Sequence, residues 1–182
     1  KNRTNPASEL HTNFKLDEDG ESLFLVRPDG VTVESSFDPF PNQMSDVSYG
    51  VYDDGGGEVV QFFPTPTPDV DNIAGVLGFV DKPDFTFGHG FYDSTINVSI
   101  STDTPGAEIR YTLNGDRPTA TTGTVFSGPI AISTTTILTA AAFKTGYQES
   151  ASNTVTYIFL DDVINQDGTG LPPVANWGHL GL

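Results

Sequence analysis

The sequence predicts an all-β chain that folds into antiparallel β-sandwich modules. Short runs in which apolar and polar residues alternate recur along most of the chain, as expected of half-buried strands. No run repeats its apolar residues with the period of a helix. The 182 residues include 19 glycines and 13 prolines, which favour turns, and 36% of them are hydrophobic, enough for a sizeable core.

The first part of the chain has the pattern of a β-meander. The sequence DEDGE at residues 17–21 and the sequence RPDG at 27–30 are rich in turn-forming residues, and a glycine-rich stretch follows Asp53. The alternating segments between these turns predict strands at residues 10–16, 22–26, 31–37, 47–52 and 58–63. We assign residues 1–70 to this first module.

Alternate prolines mark the end of the first module. Pro64, Pro66 and Pro68 fix an extended path that cannot join a central strand. The composition therefore predicts separate modules with a proline-rich connection. The predicted divisions after residue 70 are a linker at residues 71–83, a second module at 84–160 and a tail toward a further domain at 161–182.

The second module has the clearer strand pattern. Predicted strands cover residues 95–102, 108–113, 134–144 and 152–160, and residues 124–133 are predicted to form a broken strand pair. The centre of the segment 134–144 is almost continuously apolar, which predicts that both of its faces are covered. Alternation in three other strands predicts a set of inward-facing side chains: Ile96, Val98, Ile100, Ile109, Tyr111, Leu113, Val155, Tyr157 and Phe159.

The charge balance limits the partners that the chain can bind. There are 8 basic and 24 acidic residues, a formal net charge of −16. This field repels phosphate groups, which argues against nucleic acid and against anionic membrane surfaces. No apolar run approaches the roughly 20 residues of a spanning helix, so no membrane insertion is expected. The absence of cysteine excludes disulfides, thiol catalysis and cysteine-bound zinc.

The stretch GAEIRYTLNGDRPTATTG, residues 106–123, combines a strand pattern with a polar loop. The Asn-Gly pair at 114–115 predicts a turn with positive φ angles, and Pro118 and the threonines stiffen the path to the next strand. Asp116 and Arg117 are placed to pair across this loop, a contact worth little if it is exposed. We interpret the loop as architecture rather than as a reactive site.

Acidic residues beside glycine raise the question of calcium, which binds carboxylate and carbonyl oxygens. The best candidates are Asp53, Asp54 and Glu58, because the glycine-rich loop between them can turn its carbonyl groups inward. The same residues are also typical of solvated turns. No segment matches the twelve-residue calcium-binding loop.

Other chemistry has weak support in the sequence. There is no G-x-S-x-G motif for nucleophilic catalysis and no phosphate-binding loop. The histidines His11, His89 and His179 are too far apart in sequence to indicate a transition-metal site. Aromatic side chains near turns can stack on a carbohydrate, and Tyr92 and Tyr147 are the candidates for such a site. Rings of this kind more often pack in a core.

Residues 84–160 resemble the chitobiase/β-hexosaminidase C-terminal domain type, an immunoglobulin-like module of large bacterial surface and secreted proteins. Segments in the family's order carry the resemblance, among them GFYDSTINVSIST, YTLNGDRPT and TVTYIFLDDVINQ. The family usually has Asp-Gly where this chain has Asn114-Gly115. Residues 1–70 resemble the C-terminal half of a lamin tail domain, another immunoglobulin-like sandwich, whose early strands and tryptophan-containing segment have no counterpart here.

These resemblances imply two immunoglobulin-like β-sandwich modules, the first of them incomplete, in an extracellular or cell-surface protein. They imply no catalytic residue, because hydrolases with this C-terminal module do their chemistry in a separate domain. No cofactor is expected, and calcium is left open only by the acidic residues named above. An incomplete sandwich exposes sheet edges, so we expect another protein chain or domain to complete it by strand addition. The expected function is spacing or assembly, and the alternative is a carbohydrate-binding accessory module of a multidomain hydrolase.

Overall fold

The structure is a computed structural model that describes residues 14–67 and 70–164. In these segments the chain is nearly all β, which confirms the predicted fold class, with thirteen strands and one short helix. The chain divides into two compact units, Lys1–Leu77 and Gly78–Leu182. Within the described part, no helix is long and apolar enough to cross a membrane.

Unit 1 contains two antiparallel hairpins in its described residues. Its strands are β1 (Leu23–Val26), β2 (Val33–Phe37), β3 (Ser48–Asp53) and β4 (Glu58–Phe63). β1 pairs with β2, and β3 pairs with β4. The first turn is closed by the Gly30 N–H, which donates to the Arg27 carbonyl at 2.9 Å, and by Asp29, whose carboxylate accepts the N–H of Thr32 at 2.9 Å.

The edge of β4 continues into residues 72–76, which lie in the segment that the sequence assigns to a linker. The backbone of Val76 exchanges two hydrogen bonds with Phe62, at 2.8 and 2.9 Å, and the Asn72 side-chain amide donates to the Val51 carbonyl at 2.7 Å. Glycine is required at position 75, because a Cβ there would lie 2.2 Å from the Phe62 carbonyl oxygen. These residues therefore pack on the second hairpin.

Few apolar side chains of unit 1 are buried. Among its described residues, only Phe40 and Phe63 are buried hydrophobic side chains, whereas Leu25 of β1 is 63% exposed and Val33 of β2 is 51% exposed. Two open hairpins rather than a closed sandwich account for this. The strand predicted at residues 10–16 is wrong for residues 14–16, which are not in a strand, and residues 10–13 lie outside the described part.

Unit 2 is a two-layered β-sandwich. One layer is a five-stranded sheet, and two strand pairs form the other layer. The elements are β5 (Asp84–Phe85), β6 (Gly90–Tyr92), β7 (Ile96–Val98), β8 (Ile100–Ser101), β9 (Glu108–Thr112), β10 (Thr124–Val125), β11 (Ile130–Ile132), β12 (Thr136–Phe143), β13 (Asn153–Phe159) and α1 (Leu160–Ile164). The order in the large sheet is β10-β9-β12-β13-β6, and the pairs are β11-β7 and β5-β8.

The core of unit 2 is built from both layers. Buried side chains of β7, β8 and β11 form one cluster with buried side chains of β9, β12 and β13. The predicted inward phases are confirmed for Ile96, Val98 and Ile100, and for Val155, Tyr157 and Phe159, all of which are buried. Two strand phases of the sequence therefore place six side chains in the core correctly.

Strand β12 is buried on both faces, as its apolar centre predicts. Leu138, Ala140 and Ala142 belong to the core cluster. On the opposite face, Thr139 is 1% exposed and Ala141 is 0% exposed. This second face is covered by the loop after β9, since the Thr139 hydroxyl donates to the Gly115 carbonyl at 3.3 Å.

Three expectations for unit 2 need correction. Leu113 does not point inward but is 49% exposed, because β9 ends at Thr112 and the chain turns away. The sandwich is not wholly antiparallel, since β6 pairs with β13 in parallel. The strand expected to run to residue 160 stops at Phe159, and α1 follows it.

Candidate functional site

The loop of residues 113–123, between β9 and β10, uses its polar groups to hold itself on the sheet. The Gly115 N–H donates to the Ile137 carbonyl at 3.1 Å. The Thr112 hydroxyl donates to the Asp116 carbonyl at 2.5 Å, and the Asn114 amide donates to the Asp116 carboxylate at 2.6 Å. Gly115 has a φ of 86°, so the turn needs a positive φ at the glycine, not at both residues of the Asn-Gly pair.

Arg117 pairs with a residue far along the chain, not with Asp116 as the sequence predicts. Its guanidinium lies 2.6 Å from the Glu149 carboxylate and donates to the Ser150 carbonyl at 3.2 Å. Both charged side chains are about half exposed, so the ion pair itself contributes little. Its effect is to join the loop to the turn before β13. Pro118 is fully buried, which completes the packing of the loop.

The calcium candidates lie around the turn between β3 and β4. Asp53 and Glu58 are opposite each other in the hairpin. The carboxylates of Asp53 and Asp54 accept the N–H groups of Gly55 and Gly56, at 2.9 and 2.8 Å. No three acidic or histidine side chains in residues 14–67 and 70–164 are grouped to hold a metal ion, so these three do not converge. Calcium binding through the loop carbonyls stays a prediction.

Tyr92, one of the two carbohydrate candidates, packs at the rim of the core. Its ring is half-buried, and its centroid lies 5.6 Å from that of Tyr157 and 6.1 Å from that of Phe159. Its hydroxyl donates to the Gly88 carbonyl at 2.8 Å. The ring is therefore engaged with neighbouring aromatic side chains rather than standing free as a platform.

Tyr147, the other candidate, lies in an open cleft of about 600 Å³. Its backbone is fixed, because its N–H donates to the Lys144 carbonyl at 3.0 Å and the next N–H, of Gln148, donates to the Gly78 carbonyl at 2.9 Å. The Lys144 ammonium lies 4.2 Å from the ring centroid, a cation–π contact. The cleft is lined by Gly106, Glu108, Ala120, Phe143, Lys144, Thr145, Tyr147, Gln148 and Glu149.

Paired charges surround the Tyr147 cleft. Glu108 accepts a hydrogen bond from Arg110 at 2.6 Å, and Glu149 is held by Arg117. A carboxylate fixed by a guanidinium presents its remaining lone pairs in a defined direction, which suits hydrogen bonding to a hydroxylated ligand. Sequence reasoning predicted the candidate Tyr147 but missed Lys144, Gln148 and Glu149, although KTGYQE places all three beside it.

The buried phenol of Tyr157 is the group whose acidity the fold changes most clearly. Its side chain is fully buried, and its hydroxyl donates to the Phe87 carbonyl at 3.0 Å. Burial raises the pKa of Tyr157 to about 12, and the neighbouring Tyr92 adds to the effect. The phenol is therefore a hydrogen-bond donor to the backbone at neutral pH rather than a reactive acid.

These features define a class of protein module: a β-sandwich in which the loop of residues 113–123 packs on the sheet of the same unit. Residues 87–156 match the family model of the Chitobiase/beta-hexosaminidase C-terminal domain, less than half of the chain. No curated protein matches the chain, and no solved structure matches it. The resemblance of residues 1–70 to a lamin tail domain stays a prediction.

Proposed function

We propose that the chain is a non-catalytic part of a larger secreted or cell-surface protein, in which its units act as spacer or assembly domains. The observation that carries the proposal is that the loop of residues 113–123 directs its polar groups to the rest of unit 2. In the segment that matches an accessory domain, Gly115 of this loop is hydrogen-bonded to Ile137 and Thr139 of β12, and Arg117 donates to the Ser150 carbonyl. Because the polar groups of the loop are engaged within unit 2, the loop supports a mechanical role rather than a reactive one.

The assembly part of the proposal rests on unit 1. Apolar side chains of its first hairpin are exposed on both faces, including Phe24 at 48% and Leu25 at 63% on successive positions of β1. Successive residues of a strand point to opposite sides of a sheet. A further strand or sheet from another chain or domain would cover such surfaces.

Two measurements on the whole chain test this proposal. We expect no hydrolysis of p-nitrophenyl N-acetyl-β-glucosaminide or of soluble chitin oligosaccharides above the buffer rate. Sedimentation velocity over a hundredfold range of concentration is expected to show reversible association, which Leu25→Asp weakens. Measured turnover would contradict the non-catalytic role, and a monomer at every concentration would contradict assembly through like chains.

A second candidate function is carbohydrate binding at the Tyr147 cleft, as an accessory module of a multidomain hydrolase. The specific observation that favours it is an aromatic ring set among hydrogen-bonding side chains in an open cleft, with Gln148 and Glu149 next to it. Lys144 lies over the ring, so a sugar that stacks on the same face must displace it.

Polysaccharide pull-down and a glycan array test this candidate. Tyr147→Ala is expected to abolish saturable binding, and Lys144→Ala to strengthen it by opening the ring face. Tyr92→Ala is expected to act through stability, because Tyr92 packs on Tyr157. Tyr52→Ala in unit 1 is the matched control and should leave binding unchanged. Binding that survives Tyr147→Ala would exclude this cleft as the site.

A further inference from the structure

Three consecutive residues before β6 are each tied to a neighbouring group by one hydrogen bond. The Phe87 carbonyl accepts the Tyr157 hydroxyl at 3.0 Å, and the Gly88 carbonyl accepts the Tyr92 hydroxyl at 2.8 Å. The third contact is different: Nδ1 of His89 accepts the backbone N–H of Thr156 at 3.0 Å. We call residues 87–89 the strap.

The His89 contact lies where the β6–β13 ladder begins. Tyr157 is paired with Gly90, the residue directly after His89. The imidazole therefore satisfies a backbone N–H of β13 one residue before the strand pairing begins. Nδ1 can accept this hydrogen bond only while it carries no proton, because a protonated imidazole has two donors and no acceptor.

The strands near the strap carry few other ionisable side chains. β13 carries one titratable side chain, Tyr157, whose phenol stays protonated because its pKa is raised to about 12. β6 carries Tyr92, whose hydroxyl is the second donor to the strap. β12 carries none, β5 carries Asp84, and Asp93 follows β6. Histidine is the side chain that changes charge between about pH 5 and 8.

We propose that His89 is a pH-sensitive latch that holds the start of β6 against the edge of β13. The neutral imidazole accepts the Thr156 N–H. A proton on Nδ1 puts a second donor opposite the Thr156 N–H and breaks this contact. His89 and the start of β6 are then released from β13, while the two tyrosine contacts hold Phe87 and Gly88 in place. His89 is exposed, so protons reach it without unfolding of the core.

Amide hydrogen exchange of Thr156, followed by NMR on the whole chain between pH 8 and pH 5, tests the latch. Because the proton removes the acceptor of this N–H, the protection factor of Thr156 is expected to fall by at least about fivefold, the equivalent of one hydrogen bond. The fall should follow the titration of the His89 ring, read from its own resonances. Amides of β12, which β13 separates from β6 in the sheet, should keep their protection factors over the same range.

His89→Asn separates the latch from a merely structural contact. The Oδ1 atom of asparagine takes the place of Nδ1 but does not titrate, so Thr156 should stay protected at both ends of the pH range. The control His11→Asn with His179→Asn should leave the pH dependence unchanged. An unchanged protection factor through the His89 titration, or an equal fall in His89→Asn, would overturn the proposal.

Discussion

Three glycines of unit 2 offer a graded measure of how tightly the segment 106–123, which contains β9, is packed. Gly106, Gly115 and Gly123 have φ angles of 75°, 86° and 87°, so alanine carries a similar backbone strain of about 1–2 kcal/mol at each. The space around them differs. A Cβ at Gly106 meets nothing within 4 Å, one at Gly115 lies 3.1 Å from Ile137, and one at Gly123 lies 2.9 Å from Pro118.

The expected losses follow from these contacts. Gly106→Ala should cost about 1 kcal/mol from strain alone. Gly115→Ala should cost about 2 kcal/mol, because Ile137 is 42% exposed and its side chain can yield. Gly123→Ala should cost about 3 kcal/mol or more, because its second close contact, at 3.0 Å, is the backbone carbonyl oxygen of Tyr111.

Thermal unfolding of the variants, followed by circular dichroism and by resolved amide resonances of unit 2, gives the ranking. Each kcal/mol should lower Tm by about 4–8 °C for a unit of this size. Gly30→Ala in unit 1, with a φ of 74° and open space, is the control for strain outside unit 2. Equal losses at the three positions, or the largest loss at Gly106, would refute the packing argument.

Three further predictions concern single side chains of unit 2. Tyr157→Phe should destabilise unit 2 by about 1–2 kcal/mol through loss of its donor to Phe87. In the native protein, one of the six tyrosines should ionise near pH 12 in an ultraviolet titration, and ionisation of all six together would contradict this. The contribution of the Tyr157 phenol to stability should be complete below pH 10 and lost as pH rises from 10 to about 12. Leu138→Ala should cost about 2–5 kcal/mol in urea unfolding, because the side chain is fully buried, and a loss under about 1 kcal/mol would show that the site collapses. Arg117→Lys should cost under about 1 kcal/mol, because the pair with Glu149 is half exposed, and a larger loss would mean that the bond to the Ser150 carbonyl dominates.

The strands of unit 2 were predictable because their side chains obey one rule. Residues that alternate through 96–100 and 155–159 are buried at every second position, and the continuous apolar run of β12 is covered on both sides. Such patterns depend on neighbours along the chain. Leu113 broke the rule because a glycine turn, two residues later, ends the strand before the side chain can reach the core.

Contacts between residues that are distant in sequence could not be predicted from the sequence alone. Arg117 lies one residue from Asp116, yet it pairs with Glu149, because the sheet brings the turn before β13 alongside the loop. The parallel pairing of β6 with β13 and the contact of His89 with Thr156 join segments separated by 67 residues. The candidate Tyr147 was predictable as a turn aromatic, but the Lys144 ammonium over its ring was not.

The double burial of β12 has a consequence for anyone who would use unit 2 as a display scaffold. A peptide inserted within residues 113–123 would lift Gly115 from Thr139 and wet a face of the central strand. An insertion beside Gly128 meets no such barrier, since a side chain there has no atom within 4 Å. The stretch that best marks this module in a sequence is thus the least suitable place for a graft, and the plain turn between β10 and β11 is the better one.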